Sequence, residues 1–401
     1  MAGQVTVVAS RQGGAGVSSL RAFAGVHLIR HARADVLAFE HTVIRLPEML
    51  HSHHVTGSYD YLLQVEVADL LASLPGVGAV GHTAPILVPA ALGSLLVWRL
   101  RRIRATPSPF RTAVLENWER RLPDFTEYRV QDMDENGVDV QVLSLTSPGI
   151  QMQPDAAIAV SDAQLANEVL ATTIKENPAR FAGLAAMPLQ DPAAAVRELE
   201  RAVTDLGLSG VLVNGHILDS YLDEPRYRVF WEALAGHDVP LYLHPNSVAL
   251  GWPVFEGRPE LLGPSYAWAI ETGAHALRLI YSGLFDQFPT AKVILGHMGE
   301  FLPFHMSRLD IRYRDLEPPV TLAKRPSEYL VDNFAITTSG VLSTTTLLSA
   351  AQAVGIDNIL FAIDYPYESS ALAVEFLNAL PLNQPDLHKI AHSNAERLLR
   401  I

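Results

Sequence analysis

From about residue 105 onward, short apolar runs rich in β-branched residues alternate with segments of helical periodicity. Near-continuous apolar strands separated by helices are typical of a parallel sheet that helices cover. The pattern predicts seven strands: Val138–Leu145, Phe181–Met187, Gly210–Asn214, Pro240–His244, Lys292–His297, Phe334–Thr338 and Ile359–Asp364.

The segments between these strands have helical periodicity, and Gly207 and Gly355 mark the expected ends of two of these helices. The predicted helices are Ala163–Asn177, Pro192–Leu206, Pro225–Ala235, Ala267–Phe288, Thr344–Ala353 and Ser370–Ala379. Two α/β architectures suit this order, a doubly wound sheet of seven strands and a (β/α)8 barrel, which needs one strand more.

Polar residues at the strand ends favour the barrel. His244, His297 and Asp364 each stand at the carboxyl end of a predicted strand, just before a loop. In a barrel those ends surround one mouth, where the chemistry takes place. We therefore predict a barrel over residues 110–401, with seven clear strands.

These three side chains suit a metal site. The chain has no cysteine, so His, Asp and Glu are the ligands that remain for a transition metal. An aspartate that closes an apolar strand must be solvated, paired or metal-bound, because a bare buried carboxylate is costly. The alternative for Asp364 is a helix cap, and for His244 a hydrogen-bonded core histidine. Taken together, the three residues predict a Zn²⁺ or Mn²⁺ site.

Two charged residues follow His297. Glu300 comes three residues later and could orient the imidazole or share its proton, or serve as a negative charge at a helix start. Arg308 could bind a substrate carboxylate through both guanidinium nitrogens. A surface salt bridge with Asp310 or Asp315 is the equal alternative for Arg308.

Composition excludes some functions. The formal net charge is −13, and a free-standing nucleic-acid binder would show a basic face. The most apolar stretch, Ala84–Trp98, contains two prolines and falls short of the ~20 residues that span a bilayer. The N-terminus lacks the pattern of a signal peptide. We expect a soluble, cytoplasmic protein with neither nucleic-acid nor membrane partners. The long loop 246–265 is a candidate lid or a subunit contact.

Several motifs carry a family resemblance across about residues 114–399. The chain resembles the decarboxylase branch of the amidohydrolase superfamily, which includes γ-resorcylate, dihydroxybenzoate and aminocarboxymuconate semialdehyde decarboxylases. The motifs are MPLQDP at 187–192, GVLVNG at 210–215, LYLHP at 241–245, LLGP at 261–264, ILGHMGE at 294–300, ITTSG at 336–340, LFAIDYPYE at 360–368 and HSNAERLLR at 392–400.

The resemblance implies an enzyme, a carboxy-lyase of aromatic catabolism that uses one divalent metal ion and no organic cofactor. It implies that His244 and Asp364 bind the metal, that His297 and Glu300 act with Asp364 in catalysis, and that Arg308 holds the substrate. Asp364 would protonate the ring carbon that bears the carboxylate. We expect a small aromatic acid as substrate and a homodimer or homotetramer.

One departure from this family concerns the first barrel strand, which carries Glu-x-His or His-x-His and supplies two ligands. We expect that motif to be missing before Val138. The nearest substitutes are Glu40–His41 and His82, and His82 is the candidate third ligand. Val77–Val80, just before His82, is our candidate for the first strand, with Val5–Ala9 as the alternative. Residues 81–109 are then a linker or a substitute first strand.

Residues 13–80 resemble a different family, the effector-binding domain of Lrp/AsnC transcriptional regulators. The likeness lies in a helix ending in LPE, a strand with HHVTG and the following YDYLLQV. It implies a small α+β, ferredoxin-like segment that is incomplete, and it places Glu40 and His41 in a regulator helix. About a dozen residues and the helix-turn-helix domain of that family are missing.

Three functions remain open at this point. The first is decarboxylation of a hydroxylated aromatic acid, impaired if the first-strand ligands are lost. The second is metal-dependent hydrolysis on the same barrel. The third is a non-catalytic fusion or degenerate barrel, which the metal content of the purified chain would distinguish from the other two.

Overall fold

In a computed structural model, the structure describes residues 110–246 and 253–401 in full. It also describes the backbone of four N-terminal strands, β1 (Ala2–Gln12), β2 (Ser19–Leu28), β3 (Met49–His54) and β4 (Tyr61–Val67). The chain divides into two compact units, residues 1–124 and 125–401.

The N-terminal unit contains an antiparallel sheet with strand order β1-β2-β4-β3. Strand β1 pairs along most of its length with β2, from Val5 opposite Val26 to Gln12 opposite Ser19. The alternative that Val5–Ala9 is the first barrel strand is therefore wrong, because these residues belong to this antiparallel sheet. Val77–Val80 and His82 lie outside the described residues. Helix α1 (Thr112–Arg121) also belongs to this unit.

The C-terminal unit has parallel strands at all seven predicted positions, each shorter than predicted. They are β5 (Gln141–Leu143), β6 (Phe181–Gly183), β7 (Ala185–Ala186), β8 (Val211–Asn214), β9 (Leu241–His244), β10 (Val293–Leu295), β11 (Phe334–Thr337) and β12 (Ile359–Leu360). Strands β6 and β7 are two halves of one strand, since β6 pairs with β5 and β7 pairs with β8. The order β5-β6/β7-β8-β9-β10-β11-β12 follows the chain.

Helices separate the strands, as the periodicity predicts. They are α2 (Tyr128–Asn136), α3 (Ala156–Glu176), α4 (Pro192–Thr204), α5 (Arg228–His237), α6 (Ala267–Tyr281), α7 (Leu284–Gln287), α8 (Met306–Tyr313), α9 (Pro326–Asp332), α10 (Thr344–Val354), α11 (Ser370–Asn378), α12 (Gln384–His388) and α13 (Asn394–Leu399). Among the described residues, no helix combines the length and the apolar character needed to cross a membrane.

Local chemistry explains two differences from the predicted helix bounds. Helix α3 begins earlier than expected because the Asp155 side chain accepts hydrogen bonds from the backbone N–H groups of Ala157 and Ile158. The single helix expected over 267–288 is interrupted at Gly283, whose φ of 72° is left-handed.

The core lies between the strands and the helices, and a second apolar layer fills the space inside the curved sheet. The outer core includes fully buried Trp231 and Tyr329. The inner layer contains Leu184, Leu212, Ile294, Ala335, Leu360 and, from the last helix, Leu399. Because burial of one such large side chain stabilises the fold by ~1.5–3 kcal/mol, these layers hold the strand ends in register.

Among the described residues, the parallel sheet of the C-terminal unit has two edges without a neighbouring strand, at β5 and at β12. Val142 on β5 is 36% exposed and Val140 just before it is 45% exposed, although their neighbours along the sheet are buried. Among the described residues of the C-terminal unit, no strand pairs with the outer edge of β5. The eighth strand of a closed barrel would therefore pair with β5, beside these two valines, and with β12 on its other side.

Candidate metal and catalytic site

Three predicted side chains converge at the carboxyl ends of the strands. His244 is the last residue of β9, His297 follows β10 and Asp364 follows β12. One ligand atom from each lies within 4.8 Å of the others. The structure thus brings together the residues that the strand pattern predicted at one mouth.

A left-handed turn positions His297. Residues His297, Met298, Gly299, Glu300 and Phe301 have φ values of 47°, 57°, 76°, 51° and 65°. Each residue other than glycine costs ~1–2 kcal/mol in this conformation, and such strain persists where the surrounding structure compensates for it. Here the side chains of Met298 and Glu300 are buried and anchor the turn. The turn puts the imidazole and the carboxylate of an i, i+3 pair side by side.

The imidazole of His297 lies between two carboxylates. Its Nδ1 is 2.7 Å from Oε1 of fully buried Glu300, and its Nε2 is 3.8 Å from Oδ2 of Asp364. Burial opposes the charge on His297, but the carboxylates of Asp364 and Glu300 outweigh burial and raise its pKa to about 10. In the metal-free protein His297 is therefore an imidazolium at neutral pH.

Asp364 is held in a strained backbone conformation, with φ 75°. Its carbonyl accepts hydrogen bonds from the backbone N–H groups of Tyr367 and Glu368, at 2.8 and 3.2 Å. Burial alone would raise the pKa of its carboxyl group, but His297 and His244 hold that pKa below its ordinary value. The carboxylate form, which binds metals, is the one that this site stabilises.

Two oxygen acceptors orient the ring of His244 through its Nδ1 atom. Its Nδ1 lies 2.9 Å from Oδ1 of Asn214 and 2.9 Å from the carbonyl oxygen of Pro245. Burial, opposed by Asp364 and reinforced by His297, lowers its pKa to about 4. The imidazole of His244 is therefore neutral at neutral pH, as a metal ligand must be.

Sequence reasoning missed several polar residues around this cluster. Asn214 ends β8 just as His244 ends β9, so the same strand-end signal could have found it. The hydroxyl groups of Thr146 and Tyr367 lie 2.8 Å apart, and burial raises the pKa of Tyr367 to about 12. Burial and the charge of Asp364 also raise the pKa of Glu368. No periodic pattern marked Thr146 or Tyr367.

Arg308 does not join the cluster. It lies exposed on α8, and neither role considered for it is established. The two aspartates considered as its partners have others: Asp310 accepts hydrogen bonds from Ser327, and Asp315 pairs with Arg312 at 3.1 Å. The proposed ligand His82, together with Glu40 and His41, lies outside the described residues.

The expectation that no His-x-His precedes Val138 is wrong. The sequence contains His51-Ser52-His53, which has the required spacing. Its backbone, however, forms part of β3, which pairs antiparallel with β4, and His53 stands opposite Leu62. An i, i+2 spacing puts two residues on one face of a strand, but it does not determine which sheet that strand joins.

The donor set fits a divalent transition metal. The neutral imidazole of His244 and the carboxylate of Asp364 are a nitrogen and an oxygen ligand of the kinds that zinc and manganese accept. With the protonated His297 outside the ligand set, these two residues leave open positions for a substrate, as catalytic metal sites require.

Comparison with known proteins identifies the families that the two parts of the chain resemble. Residues 50–401 match the amidohydrolase family, and residues 21–73 match the Lrp/AsnC ligand binding domain. A gamma-resorcylate decarboxylase from Rhizobium sp. (strain MTP-10005) is 44% identical over 71% of this chain and 89% of its own length. One from Rhodococcus jostii (strain RHA1) is 41% identical over 71% and 90%.

Solved structures agree with these sequence matches. The 2,6-dihydroxybenzoate decarboxylase complexed with 2,6-dihydroxybenzoate has a TM-score of 0.70 and 42% identity, over 73% of this chain and 93% of its own. A dihydroxybenzoic acid decarboxylase from Polaromonas sp. JS666, with bound manganese and 2-nitroresorcinol, has a TM-score of 0.69 and 39% identity, over 73% and 90%. The chain therefore belongs to the amidohydrolase family, among its aromatic-acid decarboxylases, and carries an Lrp/AsnC-type segment before its barrel.

Proposed function

We propose that this protein is a metal-dependent, non-oxidative decarboxylase of a hydroxylated aromatic acid of the γ-resorcylate type. The observation that carries the proposal is the cluster of His244, His297 and Asp364, backed by buried Glu300. This cluster stands in a chain that is 44% identical to a gamma-resorcylate decarboxylase.

His244 and Asp364 would hold the metal, with manganese favoured by the relative that binds it and zinc equally compatible with the donor set. A bound metal ion supplies Lewis-acid stabilisation of the negative charge on the carboxylate and the neighbouring phenolic oxygen. His82 is the further ligand that we propose from the sequence. We propose no organic cofactor.

The proton for the ring comes from the pair formed by His297 and Asp364. His297 carries a proton, Glu300 stabilises the imidazolium, and the Asp364 carboxylate lies 3.8 Å away. Asp364 takes this proton and delivers it to the ring carbon that bears the carboxylate. The bond from that carbon to the carboxylate then breaks, its electron pair restores the aromatic ring, and CO₂ leaves. Water reprotonates the pair.

Arg308 remains our proposal for the residue that holds the substrate, and a homodimer or homotetramer in the cytoplasm remains the proposed state of the protein. Arg308 is exposed and lies outside the cluster, so its proposed part is to bind the substrate rather than to react with it. Arg308→Lys should therefore raise KM for the acid more than it lowers kcat.

The experiment that tests the function uses the full chain loaded with Mn²⁺ or Zn²⁺ and a panel of dihydroxybenzoates. We expect metal-dependent release of CO₂ and of the matching dihydroxybenzene, with 2,6-dihydroxybenzoate among the substrates. Hydrolysis of ester or amide substrates without CO₂ release from any acid would favour the hydrolase alternative and refute the proposal. Full metal loading with no turnover of either panel would indicate a non-catalytic barrel.

A further inference from the structure

A chain of hydrogen bonds leads from a backbone carbonyl to the ring of His244. The side-chain nitrogen Nδ2 of Asn214 lies 3.1 Å from the carbonyl oxygen of Leu145, just after β5. A backbone carbonyl only accepts hydrogen bonds, so the NH₂ group of this amide must face it. The amide oxygen Oδ1 then faces His244, at 2.9 Å from Nδ1.

This orientation decides which ring nitrogen of His244 carries hydrogen. Both atoms near Nδ1, namely Oδ1 of Asn214 and the carbonyl oxygen of Pro245, are acceptors at 2.9 Å. A bare Nδ1 would place a lone pair against two oxygen lone pairs, whereas an Nδ1–H donates to them. The neutral imidazole therefore has its free lone pair on Nε2.

Asn214 is itself buried and fixed by further hydrogen bonds. Only 1% of its surface is exposed, its backbone N–H donates to Oε1 of Gln151 at 3.2 Å, and its carbonyl accepts from Nδ2 of Asn246 at 3.0 Å. Gly149 completes the fit, because a Cβ there would lie 2.3 Å from Nδ2 of Asn214. These contacts fix the backbone of Asn214, and turning its amide over would break the side-chain hydrogen bonds to Leu145 and His244.

We infer that Asn214 is a positioning residue: it fixes His244 in the tautomer with hydrogen on Nδ1, so that Nε2 is the atom that binds the metal. This inference rests on the proposed function only in taking His244 as a ligand. The tautomer itself exists in the metal-free protein. Partners that orient a metal-binding histidine in this way typically contribute 10–100-fold to metal affinity or activity.

The first test is spectroscopic and needs no activity. In metal-free protein labelled with ¹⁵N-histidine, long-range ¹H–¹⁵N spectra distinguish a protonated ring nitrogen from a bare one, and His244→Gln assigns the signals. We expect a protonated Nδ1 and a bare Nε2 in the parent. In Asn214→Leu, where only the carbonyl oxygen of Pro245 still faces Nδ1, we expect the preference to weaken to a mixture of tautomers. A bare Nδ1 in the parent, or an unchanged tautomer in Asn214→Leu, would overturn the inference.

The second test is metal affinity, measured by competition with a chelator for Zn²⁺. We expect Asn214→Leu to bind zinc ~10–100-fold more weakly than the parent. Asn214→Asp keeps an oxygen acceptor toward Nδ1 and should recover most of the tautomer preference, even if Asn214→Leu fails to fold. An Asn214→Asp protein with mixed tautomers would therefore also contradict the inference.

Asn333→Leu is the matched control. Asn333 is equally buried, at 2% exposed, and donates to the carbonyl oxygens of Pro289 and Ala291, without a hydrogen bond to His244. It should lose stability but keep the tautomer and the zinc affinity. Equal loss of zinc affinity in both variants would show that Asn214 acts only through stability. A chain without decarboxylase activity but with the expected tautomer would refute the proposed function and leave this inference intact.

Discussion

At the scale of single residues, the two histidines of the site differ in protonation state. His297 carries a positive charge between the carboxylates of Glu300 and Asp364, while burial keeps His244 neutral. Each protonation state suits a different task, since a neutral imidazole binds metal and an imidazolium donates a proton. The different protonation states of the two histidines thus follow from their surroundings rather than from their residue type.

Asp364→Asn tests the double role of the carboxyl group. The amide keeps the shape of the side chain but can neither bind metal as a carboxylate nor deliver the proton. General acid catalysis is typically worth ~10²–10⁴-fold, so we expect at least that loss of decarboxylation rate. Zinc affinity, measured by chelator competition, should fall as well. Activity within twofold of the parent would refute the role.

At the scale of elements, the left-handed turn at 297–301 is unusual, because five consecutive described residues have positive φ. It lies between β10 and α8 and places the imidazole of His297 at the carboxyl ends of the strands. Gly299 lets it form, because a Cβ at this position would lie 2.8 Å from Cγ2 of Ile336. The turn therefore depends on its glycine for space as well as for backbone conformation.

We expect Gly299→Ala to destabilise the C-terminal unit. At φ 76° an alanine costs ~1–2 kcal/mol, and the clash with Ile336 adds to that cost. Urea unfolding followed by tryptophan fluorescence should show a lower midpoint than that of the parent.

Gly236→Ala is the control for this change. Gly236 lies in α5, and a Cβ there would have no heavy atom within 4 Å. Because alanine restricts the unfolded chain, this variant should be unchanged or more stable by up to ~1 kcal/mol. Equal midpoints for the two variants would show that the turn tolerates a side chain and is not strained as described.

At the scale of the whole molecule, the chain joins a segment that matches a regulator's ligand binding domain to a barrel of the amidohydrolase family. The two family matches overlap at residues 50–73, where the backbone of β3 and β4 is antiparallel. The parallel sheet of the C-terminal unit shows seven strand positions, and Val140 and Val142 are exposed at its edge.

We predict that the full chain does not bind duplex DNA. The matched regulator segment is a ligand binding domain, and the formal net charge is −13. Phosphate contacts by Lys and Arg dominate DNA affinity, so an acidic chain lacks the main driving force. Fluorescence anisotropy with labelled duplex DNA should show no binding at micromolar protein. Binding that weakens as salt is added would contradict this prediction.

We also predict weak decarboxylation by the chain as it stands. Among the described residues, no ligand from a first barrel strand joins His244 and Asp364, although the family resemblance implies two, and His82 is the further ligand that we propose. Loss of partners around a metal typically costs 10–100-fold, and loss of direct ligands costs more. Metal-dependent turnover of 2,6-dihydroxybenzoate should be slower than ~1 s⁻¹. Tight metal binding with turnover at or above that rate would prove this prediction wrong.

The sequence alone determined which residues form the strands and which side chains stand at their ends. Apolar runs and helical periodicity are local, so all seven strand positions of the C-terminal unit were predicted, and His244, His297 and Asp364 were found as one set. Family motifs added the expected roles of these residues.

Only the tertiary structure decided how the site is built. The left-handed turn packs Gly299 closely against Ile336 and buries Glu300, and the orientation of Asn214 depends on the carbonyl of Leu145, far away in the sequence. The spacing of His51 and His53 could not show that their strand pairs with β4. Sheet membership and hydrogen-bond partners are non-local, because they arise from contacts between segments that no local pattern encodes.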